Sequence, residues 1–274
     1  MQPITACVKR HPLVTFFGLA YALSWWPALF EAHGILPLGP LLAALIVVPI
    51  MSGWGGLKEF LGRIVQWRVG LRWYGLVLGL PPILLLTAGA LNVMLGAPMP
   101  QLTQIPAWSN LVPWFVSILL LIGLGEEPAW RGVALQRLQV GRSALAASLI
   151  LGLLHVLWHL PLFGLEYDRF NGLPWLLAVL ASTIVTTAIY RRTNGNLLLP
   201  ALFHTSVNTS AQFFFNPLFA GASLLQLWWL WAALWLVVAI IVVLVEGRAF
   251  VWRDTRVRLP EASVDEAAPA VAIS

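Results

Sequence analysis

Residues 112–136 read VPWFVSILLLIGLGEEPAWRGVALQ. As a helix this run is ~37 Å long, enough to cross the ~30 Å hydrocarbon core of a bilayer. It is apolar up to Gly125 and then carries Glu126, Glu127 and Arg131. Charge inside hydrocarbon is costly, so three such residues in one apolar run mark a functional candidate by default.

Seven further apolar stretches flank it, at 12–31, 35–52, 73–95, 143–164, 173–190, 196–215 and 225–246. They are too long and too uniform for the alternation of barrel strands. The whole chain agrees: of 274 residues, 59% are hydrophobic and 10% charged, against ~25% charged in soluble domains. Mean hydropathy is +0.84. A soluble core of this length cannot hide that much apolar surface. Fifteen Trp fit membrane interfaces. The single cysteine, Cys7, excludes an internal disulfide and a Cys-rich metal site. Soluble enzymes, disordered chains and disulfide scaffolds are set aside. The fold class is all-α, a polytopic membrane helix bundle of about eight transmembrane helices. Trp25, Trp26 and Pro27 stand where a signal-peptide cleavage site would need small residues.

Charge orients the bundle. Eight spans put fourteen of the sixteen Lys and Arg on one side, with Arg169 opposite and Arg131 inside a span. The positive-inside rule makes the basic side cytoplasmic, with both termini there. These residues lie between apolar runs, so a pI near 10.0 reflects topology, and no nucleic-acid partner is expected. Between Trp54 and Trp73, Leu57, Phe60, Leu61 and Ile64 alternate with Lys58, Arg63 and Arg68. That pattern predicts an amphipathic helix on the cytoplasmic face. Residues 1–258 read as one integral membrane domain, and 259–274 as a disordered acidic tail. The setting expected is a bacterial cytoplasmic membrane, with the lipid bilayer and a peptide or protein as partners.

Two other spans carry polar groups: His155 and His159 in the fifth, His204 and Asn208 in the seventh. Spacing sorts them. Glu127 and Arg131 are i, i+4 and read as a structural ion pair. Glu126 is rotated ~100° away from that face. From Ser143, Glu126 is seventeen residues back and His159 sixteen forward, so an antiparallel hairpin sets them at similar depth, ~24–26 Å. His204 and Asn208 lie ~14–20 Å beyond Gly195, and they meet the others if the fourth span protrudes into the cytoplasm. His155 sits one turn closer to the cytoplasm and reads as a packing or supporting residue. His11, Glu31, His33 and Glu246 lie at span ends and can snorkel. Ser182, Thr183, Thr186 and Thr187 read as helix-packing residues. Gly125, Gly132 and Gly152 permit close helix approach.

A carboxylate beside an imidazole can take a proton from water. A second imidazole with a carboxamide one turn away offers donors to an oxyanion. Glu126, His159, His204 and Asn208 thus suit amide hydrolysis without a Ser or Cys nucleophile. Glu126, His155, His159 and His204 could instead hold a metal such as zinc. Only Glu126 is a carboxylate without a local partner and would have to act as ligand and base together, so metal independence is the expectation. With the shared turns of these spans cytoplasmic, the site is expected to open toward the cytoplasm. Two other classes stand beside the hydrolase: a non-catalytic immunity or scaffold protein, and a proton-coupled transporter with Glu and His as a relay. The lack of paired inverted halves weighs against the transporter.

The three polar groups resemble the motifs of the CPBP membrane proteases, a family of CAAX proteases and bacteriocin-processing enzymes that includes the type II CAAX prenyl endopeptidase. Its Glu-Glu-x-x-x-Arg is matched by Glu126-Glu127-Pro-Ala-Trp-Arg131. Its aromatic-x-x-x-His is matched by His155-x-x-x-His159, and its His-x-x-x-Asn by His204-x-x-x-Asn208. The similarity covers 123–210 and departs at His155, where the family usually has an aromatic residue. The resemblance implies a glutamate-dependent intramembrane endopeptidase of CAAX type or of bacteriocin and self-immunity processing. Carried over by position, Glu126 and His159 activate water, His204 and Asn208 form the oxyanion site, and Glu127 and Arg131 brace it. Family members are often labelled metalloproteases.

Overall fold

The computed structural model describes residues 2–30, 34–163 and 171–252. Glu31, His33, Arg169 and the segment 259–274 lie outside the described residues. Every element among those described is a helix. They are α1 (Gln2–Arg10), α2 (Pro12–Trp25), α3 (Gly39–Ile64), α4 (Leu71–Met94) and α5 (Trp108–Leu138), followed by α6 (Ala144–Trp158), α7 (Gly172–Arg192), α8 (Leu198–Thr209), α9 (Gly221–Glu246) and the short α10 (Arg248–Val251).

Helices α3, α4, α5, α7 and α9 are long and apolar enough to cross a membrane, and the protein is an integral membrane protein. The other three expected spans are helical but differ in form. Helix α2 ends in a 3-10 turn at Trp26–Phe30, and α8 runs into a π-helical turn at Ser210–Phe215. Helix α6 stops at Trp158, which makes it ~22 Å long. Pro161 explains the stop: it has no N–H to continue the α-helix, and the chain tightens into a 3-10 turn over Leu160–Leu162. His159 therefore caps α6 instead of lying inside it.

Helix α3 is broken at Gly53, whose backbone sits at φ 63°, ψ −169°. Glycine reaches that conformation without steric cost. The 54–64 limb is thus separate from the apolar limb. It docks on the turn between α7 and α8 as well as being amphipathic. Phe60 is buried, and Arg63 donates to the Gly195 carbonyl at 2.8 Å and to the Tyr190 hydroxyl. The Asn196 amide donates to the Gln66 carbonyl at 2.6 Å, and its oxygen caps Leu199 N at 2.8 Å. Arg63, read from sequence as a topology charge, is also a tertiary contact.

The same end of the bundle carries further links. Gln136 bonds the Tyr190 hydroxyl at 2.8 Å, Arg192 pairs with Glu246, and Arg191 reaches the Ala249 carbonyl at 3.3 Å. Of the twelve Lys and Arg among the described residues, eleven sit at this end; Arg131 alone is in the interior. The core has two parts. One joins α4, α7, α8 and α9 around Phe203, Trp231 and Trp235; the other joins α1, α2, α3, α5 and α6 around Phe16, Trp130 and Leu151. The polar side chains of α5, α6 and α8 lie where these two parts meet.

Candidate active site

The α5 backbone is irregular on both sides of the two glutamates. π-Helical turns occupy Leu119–Gly123 and Trp130–Leu135. Pro128 lies between them and lacks the N–H that a regular turn would return to residue 124. Such π-turns rotate the following side chains relative to a straight helix and concentrate at functional sites. A third one begins at Ser210, two residues after Asn208. The approach of α5 to α8 depends on Gly123: a Cβ there would lie 2.7 Å from the Ala201 carbonyl oxygen and 2.4 Å from Thr205 Oγ1.

That approach sets two carboxylate–imidazole pairs side by side. In one, the Glu126 carboxylate receives His155 Nε2 at 2.9 Å and Trp130 Nε1 at 3.4 Å, both on Oε2. In the other, Glu127 Oε1 receives His204 Nδ1 at 3.0 Å, and Oε2 faces Arg131 Nε at 3.1 Å. Glu126, Glu127 and Arg131 are each 2% exposed and His155 is 5% exposed. The i, i+4 ion pair expected of Glu127 and Arg131 is therefore present. Its second partner, His204, lies 77 positions away and had no local signal.

The direct imidazole partner of Glu126 is His155. His159 joins the group one turn further on, its ring 4.8 Å from that of His155. Its Nδ1 bonds the His155 carbonyl at 2.9 Å. A carbonyl only accepts, so Nδ1 carries the proton, and in the neutral ring Nε2 holds the lone pair. The His155 ring is also 6.0 Å from that of His204. His204 and Asn208 are half-buried and line the same cavity as Glu126 and His159. Asn208 makes no side-chain hydrogen bond among the described residues. With Nδ1 of His204 donating to a carboxylate, its Nε2 can donate as well only if the ring carries both protons.

The cavity has a volume of about 870 Å³. The cluster just described lines it, together with Trp175, Trp228, Trp231 and Trp235. Its remaining lining runs from Ile35, Leu162, Asn171, Gln212 and Leu224, at the helix ends away from the arginine-bearing turns, to Ser182, Thr183 and Thr186 of α7. His159, at the end of α6, lines the cavity beside Trp158 and Leu162.

A metal would need at least three side chains converging on one point. Among the described residues no three His, Cys, Asp or Glu do so. The four candidate ligands, Glu126, His155, His159 and His204, are neighbours, but His155 Nε2 is turned to one carboxylate and His204 Nδ1 to the other. As placed, these residues do not fit a metal site.

Comparison with known proteins bears on this region. Residues 108–210 match the family model described as type II CAAX prenyl endopeptidase Rce1-like. The chain is also similar to the CAAX prenyl protease 2 of Methanococcus maripaludis, with 28% identity over 168 residues. That match covers 57% of this chain and 62% of the relative, so the chain spans under two thirds of that protein's length. The matched stretch holds Glu126, Glu127, Arg131, His155, His159, His204 and Asn208, and over it the chain is similar to the type II CAAX prenyl endopeptidases.

Proposed function

We propose that the protein is an intramembrane endopeptidase that hydrolyses a peptide bond with an activated water. The observation that carries this reading is the pair of buried carboxylate–imidazole units opening on one cavity with an unpartnered carboxamide, Asn208. Glu126 removes a proton from the water, held by its carboxylate and by Nε2 of His159. The resulting hydroxide attacks the peptide carbonyl carbon. The negative charge that develops on the carbonyl oxygen is met by the Asn208 amide and His204. Fixed donors of this kind in a dry site are among the largest contributions to such reactions. The proton taken by Glu126 is then delivered to the leaving amine. Glu127 and Arg131 hold His204 in place. His155, where the family has an aromatic residue, anchors one oxygen of Glu126 and leaves the other for water.

In the membrane, this reading keeps eight crossings, both termini and the 54–64 limb cytoplasmic, and one domain over 1–258. The substrate is a peptide or protein segment at the membrane, of CAAX type or from bacteriocin and self-immunity processing. Cleavage of a peptide library by the purified full chain, compared with Glu126→Gln, tests the reading. Cleavage that depends on Glu126 supports a hydrolase; none by the native chain leaves the immunity, scaffold or transporter readings.

A further inference from the structure

Helix α2 lies outside the matched stretch 108–210, yet one of its faces is turned to the site. Phe17, Tyr21 and Trp25 recur every fourth residue and share that face. Their rings form a ladder, with centroids 6.0 Å apart between Phe17 and Tyr21 and 5.0 Å apart between Tyr21 and Trp25. A phenol or an indole N–H held between the helices of a membrane protein has no water to bond and must find a protein acceptor. The Tyr21 hydroxyl donates to the Leu154 carbonyl at 2.6 Å, and Trp25 Nε1 to the Trp158 carbonyl at 2.8 Å. These two carbonyls belong to the peptide groups that lead directly into His155 and His159. The second is at an open helix end. Pro161 has no N–H to give it, and Leu162 N–H donates to the His159 carbonyl at 2.8 Å instead. The first rung, Phe17, stacks on Trp130 with centroids 5.9 Å apart and planes 20° from parallel. Trp130 Nε1 in turn lies 3.4 Å from Glu126 Oε2.

We infer that Tyr21 and Trp25, with Phe17, are positioning residues of the active site: they fix where α6 ends, and so where His159 stands relative to Glu126. None of the three lines the cavity, so they act through the residues they hold. His159 follows the last α-helical turn of α6, and the peptide group before it is the one that Trp25 bonds. Its Nδ1 is bonded to the His155 carbonyl at 2.9 Å, so any slippage of this turn moves the backbone and the ring together. A misplacement of ~1 Å in a reacting geometry can cost ~10²-fold in rate. The effect on catalysis rests on the hydrolase reading; the hold on α6 does not.

The test uses Tyr21→Phe and Trp25→Phe in the full chain, singly and together. Each keeps an aromatic ring and deletes the donor. Tyr74→Phe is the control: its hydroxyl also donates to a backbone carbonyl, that of Trp67 at 2.6 Å, and Tyr74 does not line the cavity. Purified proteins in detergent are compared by steady-state cleavage of a library peptide, by thermal melting, and by hydrogen–deuterium exchange over residues 155–163. Expected is melting near native, with kcat lower by ~10-fold in Trp25→Phe and by up to ~10²-fold in the double variant. KM should change little, exchange over 155–163 should quicken in the Trp25 variants, and Tyr74→Phe should keep native kcat. A role in the frame alone would lower melting and leave kcat per folded molecule unchanged, so native kcat in the double variant overturns the proposal. A rise in KM at constant kcat overturns it as well, because it makes these residues part of substrate binding. If Trp25→Phe folds poorly, Tyr21→Phe, one oxygen smaller than native, carries the test through the same kcat readout. If the native chain cleaves nothing, the hydrolase reading fails and the effect on catalysis with it. Exchange over 155–163 then still decides the hold on α6: native exchange in the double variant overturns it.

Discussion

Nδ1 of His204 lies 3.0 Å from Oε1 of Glu127, and the other oxygen of that carboxylate faces Arg131 at 3.1 Å. One buried glutamate thus ties α8 to α5 and neutralises the only interior arginine among the described residues. Glu126, its chain neighbour, makes its bonds to Trp130 and His155. Two adjacent residues of one type therefore carry different tasks, and substitution should separate them.

Glu127→Gln leaves Arg131 without its charge partner and weakens the hold on His204. Breaking one side of a buried pair typically costs ~3–5 kcal/mol. The variant should melt earlier in detergent and give a lower yield, and lose cleavage along with folded protein. A thermal scan beside a cleavage assay measures both; a Glu127→Gln protein with native melting would show that the pair holds nothing together.

Gly123→Ala tests the contact that makes the site. The added methyl meets a backbone oxygen at 2.7 Å, which cannot rotate away, so α5 and α8 must separate. Overpacking of this kind costs ~1–3 kcal/mol, and the Glu127–His204 bond should lengthen. Cleavage should fall by more than the melting point implies. Unchanged cleavage would mean that the site does not depend on this helix approach.

Much of this was legible in the chain, for physical reasons that can be named. Uniform apolar runs announce membrane helices, and the i, i+4 spacing of Glu127 and Arg131 announces their pair. Pro161 two residues beyond His159 marks the end of α6, yet an apolar run that continues through it reads as a longer span. The π-turns around Glu126 have no comparable local signature beyond Pro128, and they change which side chains align across helices. Partners such as Glu127 with His204, or Arg63 with Gly195, are separated by 77 and 132 positions. Their pairing is a product of the packing of whole helices, which spacing along the chain does not encode.

Asn208→Ala removes an amide whose loss strands no buried partner. Stability should stay near native. Removal of one oxyanion donor typically costs ~10²–10³ in rate, so kcat should drop by that order while KM changes little. Steady-state kinetics on a cleaved library peptide decides it; a rise in KM at constant kcat would make Asn208 a binding residue instead.

Arg63→Ala cuts the 54–64 limb from the α7–α8 turn, and Arg63 does not line the cavity. Hydrogen bonds to charged groups contribute ~1.5–3 kcal/mol, and melting should drop accordingly. Cleavage per folded molecule should remain. If cleavage is lost with melting intact, the limb belongs to the catalytic apparatus and not to its frame.

The most direct measurement is cleavage of a library peptide by purified Glu126→Gln beside the native chain, with melting recorded for both. The substitution is nearly isosteric and leaves no opposite charge behind, so folding should be near native. The account predicts a rate lower by ~10²–10⁴, the usual contribution of a general base, with an intact melting transition. Native cleavage by Glu126→Gln would contradict it.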